Sequence, residues 1–374
     1  MIRPVSDDSR FRVPGEFDAI ACDVSDFVGD WTQLDYGDPF APRIAALREE
    51  FALDDVAAGC ATEFEGFLAL KRWVRSRWNH GWSRSFGSVA DALDILREAA
   101  RGEQFNCGHY STVFRACATA LGWPARPVSV ALADCSFPRD DRIGNVGHAI
   151  PEVWSNEHRK WVVMDPDLNV HYERDGVPLS AWEIREAWLS GQADCVNVVQ
   201  DQPEFVAPTG ATIEVLRETY PALATADEER VRLLCRRFTR HRAMDYYARL
   251  RIAGWEWLDP RCLPTFVSHF SPAPAGRWTS HMPDIYWTLN MVRLTTQPAW
   301  DEAGAKLTIR LQHCMPWFDH LEVSVDDGAW ARCGEGLDWP MHAGVNSLQC
   351  RAVNALGRPG IATRIEVAYS PPRW

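Results

Sequence analysis

Cys107, His148 and Asp165 follow one another in an order that suits a thiol nucleophile, its base and the residue orienting that base. Cys107 stands in Phe105-Asn106-Cys107-Gly108-His109-Tyr110, at the mouth of an apolar run with helical spacing. His148 stands in Gly147-His148-Ala149-Ile150-Pro151-Glu152-Val153-Trp154, and Asp165 closes Trp161-Val162-Val163-Met164-Asp165 ahead of Pro166. A thiol is a poor nucleophile until it ionises, and a helix N-terminus and an imidazole both favour the thiolate. The unpaired N–H groups of a first helical turn also suit the oxyanion of a tetrahedral intermediate. The Cys107 amide is the first such donor, with the side chains of Asn106 and Gln104 as candidate partners. The imidazole takes the thiol proton and returns it to a leaving amine, while Asp165 on the other ring nitrogen holds tautomer and orientation. The chemistry predicted is acyl transfer through a thioester. Singly, each residue has a plainer reading: one of eleven cysteines as a buried structural thiol, a core histidine, an aspartate opening a turn. Order and local context together carry the assignment.

The elements that must position these residues follow from periodicity. Residues 1 to about 38 mix Pro, Gly and Asp with short apolar runs and read as an N-terminal arm or edge strands. Helical spacing begins after Pro39 with Ile44, Leu47 and Phe51, then Phe64, Phe67, Leu68, Leu70, Val74 and Trp78, with Thr62 and Glu65 as a capping box. Ser88 with Asp91 opens a further helix that Arg101-Gly102 ends, and the next starts at or just before Cys107 and stops at Gly122-Trp123-Pro124. Arg126 to Ala133, Gly147 to Trp154 and Lys160 to Met164 read as strands, which sets His148 and Asp165 on neighbouring strands. Ser180 to Leu189 and Ala226 to Leu250 return to a helical pattern; the latter carries Arg230, Arg232, Arg236, Arg237, Arg240 and Arg242, read as a solvated, salt-bridged face. Ile285 to Leu294, Lys306 to Gln312, His320 to Val325, Ser347 to Val353 and Ile361 to Tyr369 alternate apolar and polar residues between turn signals, the pattern of a small antiparallel sandwich. His109 reads as a helix-surface residue, and His80, His158 and His171 show no partner pattern.

Composition excludes several classes. The 374 residues accommodate two or three domains, and 46% hydrophobic with 24% charged residues is an ordinary globular balance. A net charge of −12 offers no electrostatic footprint for nucleic acid or an anionic membrane. The cysteines form no CxxC pair and no HExxH is present, so metal-ligand spacing is absent and the odd count suits free thiols in a reducing compartment. No apolar run is long enough to span a bilayer, and Met1 to Asp8 lack a charged-then-apolar leader. The expected location is cytoplasmic, or secreted had a leader been trimmed. Eighteen tryptophans exceed the usual content and read first as core residues, with a groove for sugars or aromatic side chains as the alternative.

The segment 101 to 166 resembles the transglutaminase-like superfamily, relatives of papain that include peptide N-glycanases and many bacterial cysteine proteases or amidases. The resemblance rests on Arg101-Gly102, Cys107 opening a helix that ends in Ala120-Leu121-Gly122-Trp123-Pro124-Ala125-Arg126, Gly147-His148-Ala149 with Glu152-Val153-Trp154, and Trp161 to Pro166. It implies Cys107, His148 and Asp165 as a catalytic triad, no cofactor, and a peptide, protein or glycopeptide amide as substrate. It also implies a bacterial-type enzyme with water as acceptor, since members outside the animal enzymes are more often hydrolases. Calcium, used by some animal relatives, has no acidic-loop pattern here. The tail from about 285 resembles an immunoglobulin or fibronectin type III sandwich through Gly344 to Leu348 and Arg351 to Gly357.

The expected fold is α+β: a transglutaminase-like (papain-like) core plus a C-terminal antiparallel β-sandwich. The expected divisions are an arm with the first helix over 1–60, the catalytic core over 61–200, a helical and Trp-rich connection over 201–283, and the sandwich over 284–374. Two alternatives stand beside amide hydrolysis. One is a transferase, or an enzyme acting on glycosylated asparagine; the other is an inactive scaffold that binds glycan or peptide through exposed tryptophan. The sequence leaves oligomeric state open.

Overall fold

A computed structural model describes residues 15–23, 27–81, 83, 89–131, 147–200, 244, 247–258, 277–302 and 304–372. The chain separates into two compact units, Gly29–Trp287 and the combination of Met1–Val28 with Thr288–Trp374. The first described strand, β1 (Glu16–Cys22), therefore belongs to the second unit.

In the first unit, α1 (Pro42–Glu50), α2 (Leu53–Ala57), α3 (Glu63–Arg75), α4 (Ala92–Ala100) and α5 (Cys107–Ala120) precede the strands. Thr62 Oγ1 accepts from the Glu65 N–H, but the Glu65 carboxylate accepts the Ala61 N–H at 2.7 Å, one residue beyond the Thr62 N–H that the expected capping box requires. Asp91 caps α4 through the Leu93 and Asp94 N–H groups, and the proposed partner Ser88 lies outside the described residues. The buried stripe of α5, Tyr110, Val113, Phe114 and Cys117, has the i, i+3, i+4, i+7 spacing that turns one face inward. Its end is a Schellman motif: Gly122 at φ 77° lets the Gly122 N–H reach Thr119 O at 3.0 Å and the Trp123 N–H reach Ala118 O at 2.8 Å.

The chain then runs through β2 (Ala125–Ala131), β3 (Gly147–Ser155), β4 (Lys160–Val163), β5 (Val170–Arg174), β6 (Val177–Pro178), α6 (Ala181–Leu189), β7 (Asn197–Gln200), β8 (Arg249–Ile252), β9 (Trp255–Trp257) and β10 (Trp278–Thr279). One sheet has the order β10-β9-β8-β2-β3-β4 and a smaller one β6-β5-β7. Arg249 and Leu250, read as the end of a helix, are strand residues, because β8 pairs along β2 from Val128↔Ile252 to Ala131↔Arg249. The arginines from 230 to 242 lie outside the described residues. Arg126 and Glu152 face each other across β2 and β3, both 0% exposed. Arg126 Nε donates to Glu152 Oε2 at 2.8 Å, and its guanidinium lies 4.1 Å from the Trp161 ring centroid. Glu152 Oε1 accepts the Ala181 N–H at 2.7 Å, so this ion pair also anchors the start of α6.

In the second unit, β11 (Val292–Asp301), β12 (Gly304–His313), β13 (Phe318–Val325), β14 (Ala331–Cys333), β15 (Gly336–Pro340), β16 (Gly344–Asn354) and β17 (Thr363–Ser370) form two sheets, β11-β12-β15 and β1-β17-β16-β13-β14. Their inner faces share one core, in which Leu307, Ile309 and Leu311 meet Leu348, Ile365 and Val367, making an antiparallel sandwich. The strand expected from Ile285 starts only at Val292, because Met282–Asp284 is a 3₁₀ turn and Ile285 is buried in the first unit. Trp154, Trp161, Trp287 and Trp339 are fully buried, in keeping with tryptophan as core, whereas Trp278 and Trp300 are exposed. Among the described residues no helix is long and apolar enough to cross a membrane.

Candidate active site

Asn106 starts α5. Its Oδ1 accepts the Gly108 N–H at 3.0 Å, and its carbonyl accepts the N–H groups of His109 and Tyr110 at 3.0 and 3.3 Å. Cys107 is thereby the first helical residue, 6% exposed, and among the described residues its own N–H has no partner. The side chain of Asn106 is committed to the cap, and it also contacts His109 Nδ1 at 3.0 Å. Gln104 is exposed and lies against Gly81, where an added Cβ would stand 2.6 Å from its Oε1.

His148 is the second residue of β3, opposite Val130 of β2. Asp165 lies just beyond β4, in the turn that leads to β5, rather than on a strand. That turn is closed by the Asp165 N–H to Val170 O and the Val170 N–H to Asp165 O, both 3.0 Å, with Asn169 at φ 53°. Asp165 Oδ1 accepts the Leu168 N–H at 3.1 Å, which leaves Oδ2 for the His148 Nε2–H at 2.8 Å. The thiol of Cys107 hydrogen-bonds the same ring. With Nε2 engaged, Nδ1 is the nitrogen turned to the sulfur. The three residues assigned from sequence therefore meet in space.

Two residues the sequence reading passed over join them. Asp167, 3% exposed, leaves the same turn as Asp165, and one of its oxygens lies 4.0 Å from His148 Nδ1. Cys107 Sγ, a His148 ring nitrogen and an Asp167 oxygen all lie within 4.8 Å of one another. His80 donates from Nδ1 to both Asp167 oxygens, at 2.7 and 2.9 Å, so it does have a partner. So do His171, whose Nε2 donates to Glu173 at 2.9 Å, and His158, 3.9 Å from Glu157. His80 is brought in because the segment 78–81 runs beside residue 105: the Trp78 Nε1–H and the Gly81 N–H both donate to Phe105 O at 3.1 Å. The pattern Asp-Pro-Asp was the available signal for Asp167; none existed for His80.

Burial opposes a charge on His148, but the Asp165 carboxylate and the Cys107 thiol outweigh it and hold the ring well above the usual histidine range. Burial likewise works against the Asp167 carboxylate, yet His80, His148 and Arg75 hold it below the usual carboxylate range. His109, expected on the helix surface, is half-buried against Phe105, and desolvation pushes it down to about 4, so it stays neutral at pH 7. Arg75, 5% exposed, ties the rear of the site together by donating to Trp78 O at 2.7 Å and to the Tyr110 hydroxyl. A thiol hydrogen-bonded to an imidazole, beside an N–H without a partner among the described residues at the helix start, is equipped to attack a carbonyl once its proton passes to the ring, to hold the resulting oxyanion and to protonate a leaving group.

The family model described as the Transglutaminase-like superfamily matches residues 51–166. Among solved structures, one described as a "Putative Cysteine Protease" from Cytophaga hutchinsonii is 18% identical, with 44% of this chain and 50% of that chain covered and a TM-score of 0.26. Red sea bream transglutaminase is 10% identical, with 96% and 77% covered and a TM-score of 0.26. The match thus spans half the length of the Cytophaga protein. None of the curated proteins matches as a relative.

Proposed function

We propose, for a chain whose residues 51–166 match the transglutaminase-like superfamily model, that it is a cysteine-dependent enzyme hydrolysing an amide bond in a peptide or protein. The observation that carries this reading is the ring of His148, with Asp165 Oδ2 at 2.8 Å from Nε2 and the Cys107 thiol hydrogen-bonded to it at the first turn of α5. In the reading, the Cys107 thiolate adds to the amide carbonyl, and the Cys107 N–H stabilises the oxyanion. The C–N bond breaks as His148 passes its proton to the departing amine, leaving a thioester on Cys107. His148, now neutral, takes a proton from water; the resulting hydroxide equivalent attacks the thioester, and the carboxylic acid leaves as thiol and imidazole are restored. Asp165 keeps the Nε2–H in place throughout.

The test is ammonia or amine release from glutamine- and asparagine-containing peptides, with mass mapping of the Cys107 peptide for a trapped acyl group. Release by the native protein and none by Cys107→Ala is expected. Absence of both release and acyl adduct over a broad peptide set would sink the reading. Adding hydroxylamine or a labelled primary amine separates hydrolysis from transfer, since an amine acceptor would carry off the acyl group.

A further inference from the structure

Asp167 is an odd neighbour for a nucleophilic thiol. It is a buried carboxylate within 4.8 Å of Cys107 Sγ, and a negative charge there opposes formation of a second one on sulfur. A carboxylate is costly to bury unless it is paired, and this one is paired by His80 through both oxygens. Asp165 already orients His148 from Nε2, so Asp167 is not needed to choose the tautomer. It lies instead on the Nδ1 side, 4.0 Å away, where it acts on the proton that passes between ring and sulfur.

We propose that Asp167, held by His80, is a positioning residue that sets the pH window of the Cys107–His148 pair. This rests on the reading of those two residues as nucleophile and base. The Asp167 charge keeps His148 protonated to higher pH, which prolongs its service as proton donor to the leaving amine. The same charge delays loss of the thiol proton, and His80 limits that penalty. The other groups facing Asp167 are Arg75 from α3, Tyr110 from α5 and Asp165 from its own turn. Arg75 is a fixed cation, and burial lifts Tyr110 far above neutrality, so neither changes charge in the relevant range.

The sign follows. Removing the negative charge while keeping an acceptor for His80, in Asp167→Asn, makes the thiolate easier to form and the imidazolium easier to lose. Both limbs of the pair's titration then move to lower pH, by about one unit for a charge at 4 to 6 Å. Two substrate-free measurements read the limbs on the full chain. The lower limb is the pH dependence of iodoacetamide labelling at Cys107, mapped by peptide mass spectrometry. The upper limb is the titration of the His148 ring followed by nitrogen NMR with labelled histidine. Asp167→Glu, which keeps the charge, is expected to retain the native limbs more closely than Asp167→Asn.

A role confined to packing predicts slower labelling with unmoved limbs, and that result in Asp167→Asn would overturn the proposal. So would an upward movement of either limb. If Asp167→Asn fails to fold, His80→Gln, which removes the imidazole that offsets the carboxylate, must move the lower limb upward; an unmoved limb there overturns the proposal. Native protein that labels at Cys107 like an ordinary thiol would overturn the nucleophile reading along with it. An activated native thiol with unmoved Asp167→Asn limbs would overturn the Asp167 role alone.

Discussion

Asp165 divides its carboxylate, giving Oδ2 to His148 Nε2 at 2.8 Å and Oδ1 to the Leu168 N–H at 3.1 Å. The backbone of the turn thus holds the aspartate, and the aspartate holds the ring. Asp165→Asn keeps the shape but replaces the anion that stabilises the imidazolium, and the amide's NH₂ can face the ring and reverse its tautomer. Amide turnover is expected to fall about 10²-fold or more, with KM changed little, as measured by steady-state kinetics at pH 7. Unchanged kcat would remove Asp165 from the machinery.

The His148 ring also links stability to pH. Its folded-state value is raised, with Asp165 the largest raising influence against burial. A raised value means the folded state binds the proton more tightly, so this contribution is complete below the unfolded value of about 6.5 and is lost as pH rises through the folded one. Urea midpoints of the native protein should therefore decline as pH rises through that window, and Asp165→Asn should flatten the decline. Equal slopes in the two proteins would contradict the assignment.

Asn106 holds the nucleophile's helix by capping it. Asn106→Ala is expected to cost about 1 kcal/mol of stability, read from urea unfolding. Labelling of Cys107 should also slow, because fraying the first turn disperses the N–H groups beside the sulfur. Stability loss without slower labelling would separate the cap from the chemistry.

Glu152, in register with Arg126 of β2 and Val163 of β4, has no part in the proposed reaction. Glu152→Ala leaves the Arg126 guanidinium buried without its carboxylate and the Ala181 N–H without its acceptor. The expected cost is about 3 kcal/mol or more, seen as a lower urea midpoint. Replacing both members by apolar residues of similar volume, Arg126→Met with Glu152→Leu, should recover much of it. A loss below about 1 kcal/mol in Glu152→Ala would show that water reaches the pair.

What was legible in the sequence was local. The start of α5 at Cys107, its end at Gly122-Trp123, the β3–β4 hairpin and most sandwich strands came from periodicities and caps spanning fewer than about 15 residues. Cys107, His148 and Asp165 could be named because each sits in or just beyond such an element, in an order that chemistry recognises. Their meeting in space was an expectation until α5, β3 and the turn after β4 were assembled.

Tertiary structure alone decided the rest. His80 joins Asp167 across 87 residues because segment 78–81 lies beside Phe105, and no spacing in the sequence announces that. Glu16–Cys22 read as either an arm or an edge strand; it is an edge strand because β17, at the far end of the chain, supplies its hydrogen bonds. Arg249 and Leu250 continue a helical pattern, yet pairing with β2 makes them strand. In each case the deciding energy is a hydrogen bond or a burial shared with residues far along the chain. Local pattern records a residue's own preference; only the assembled fold supplies its partner.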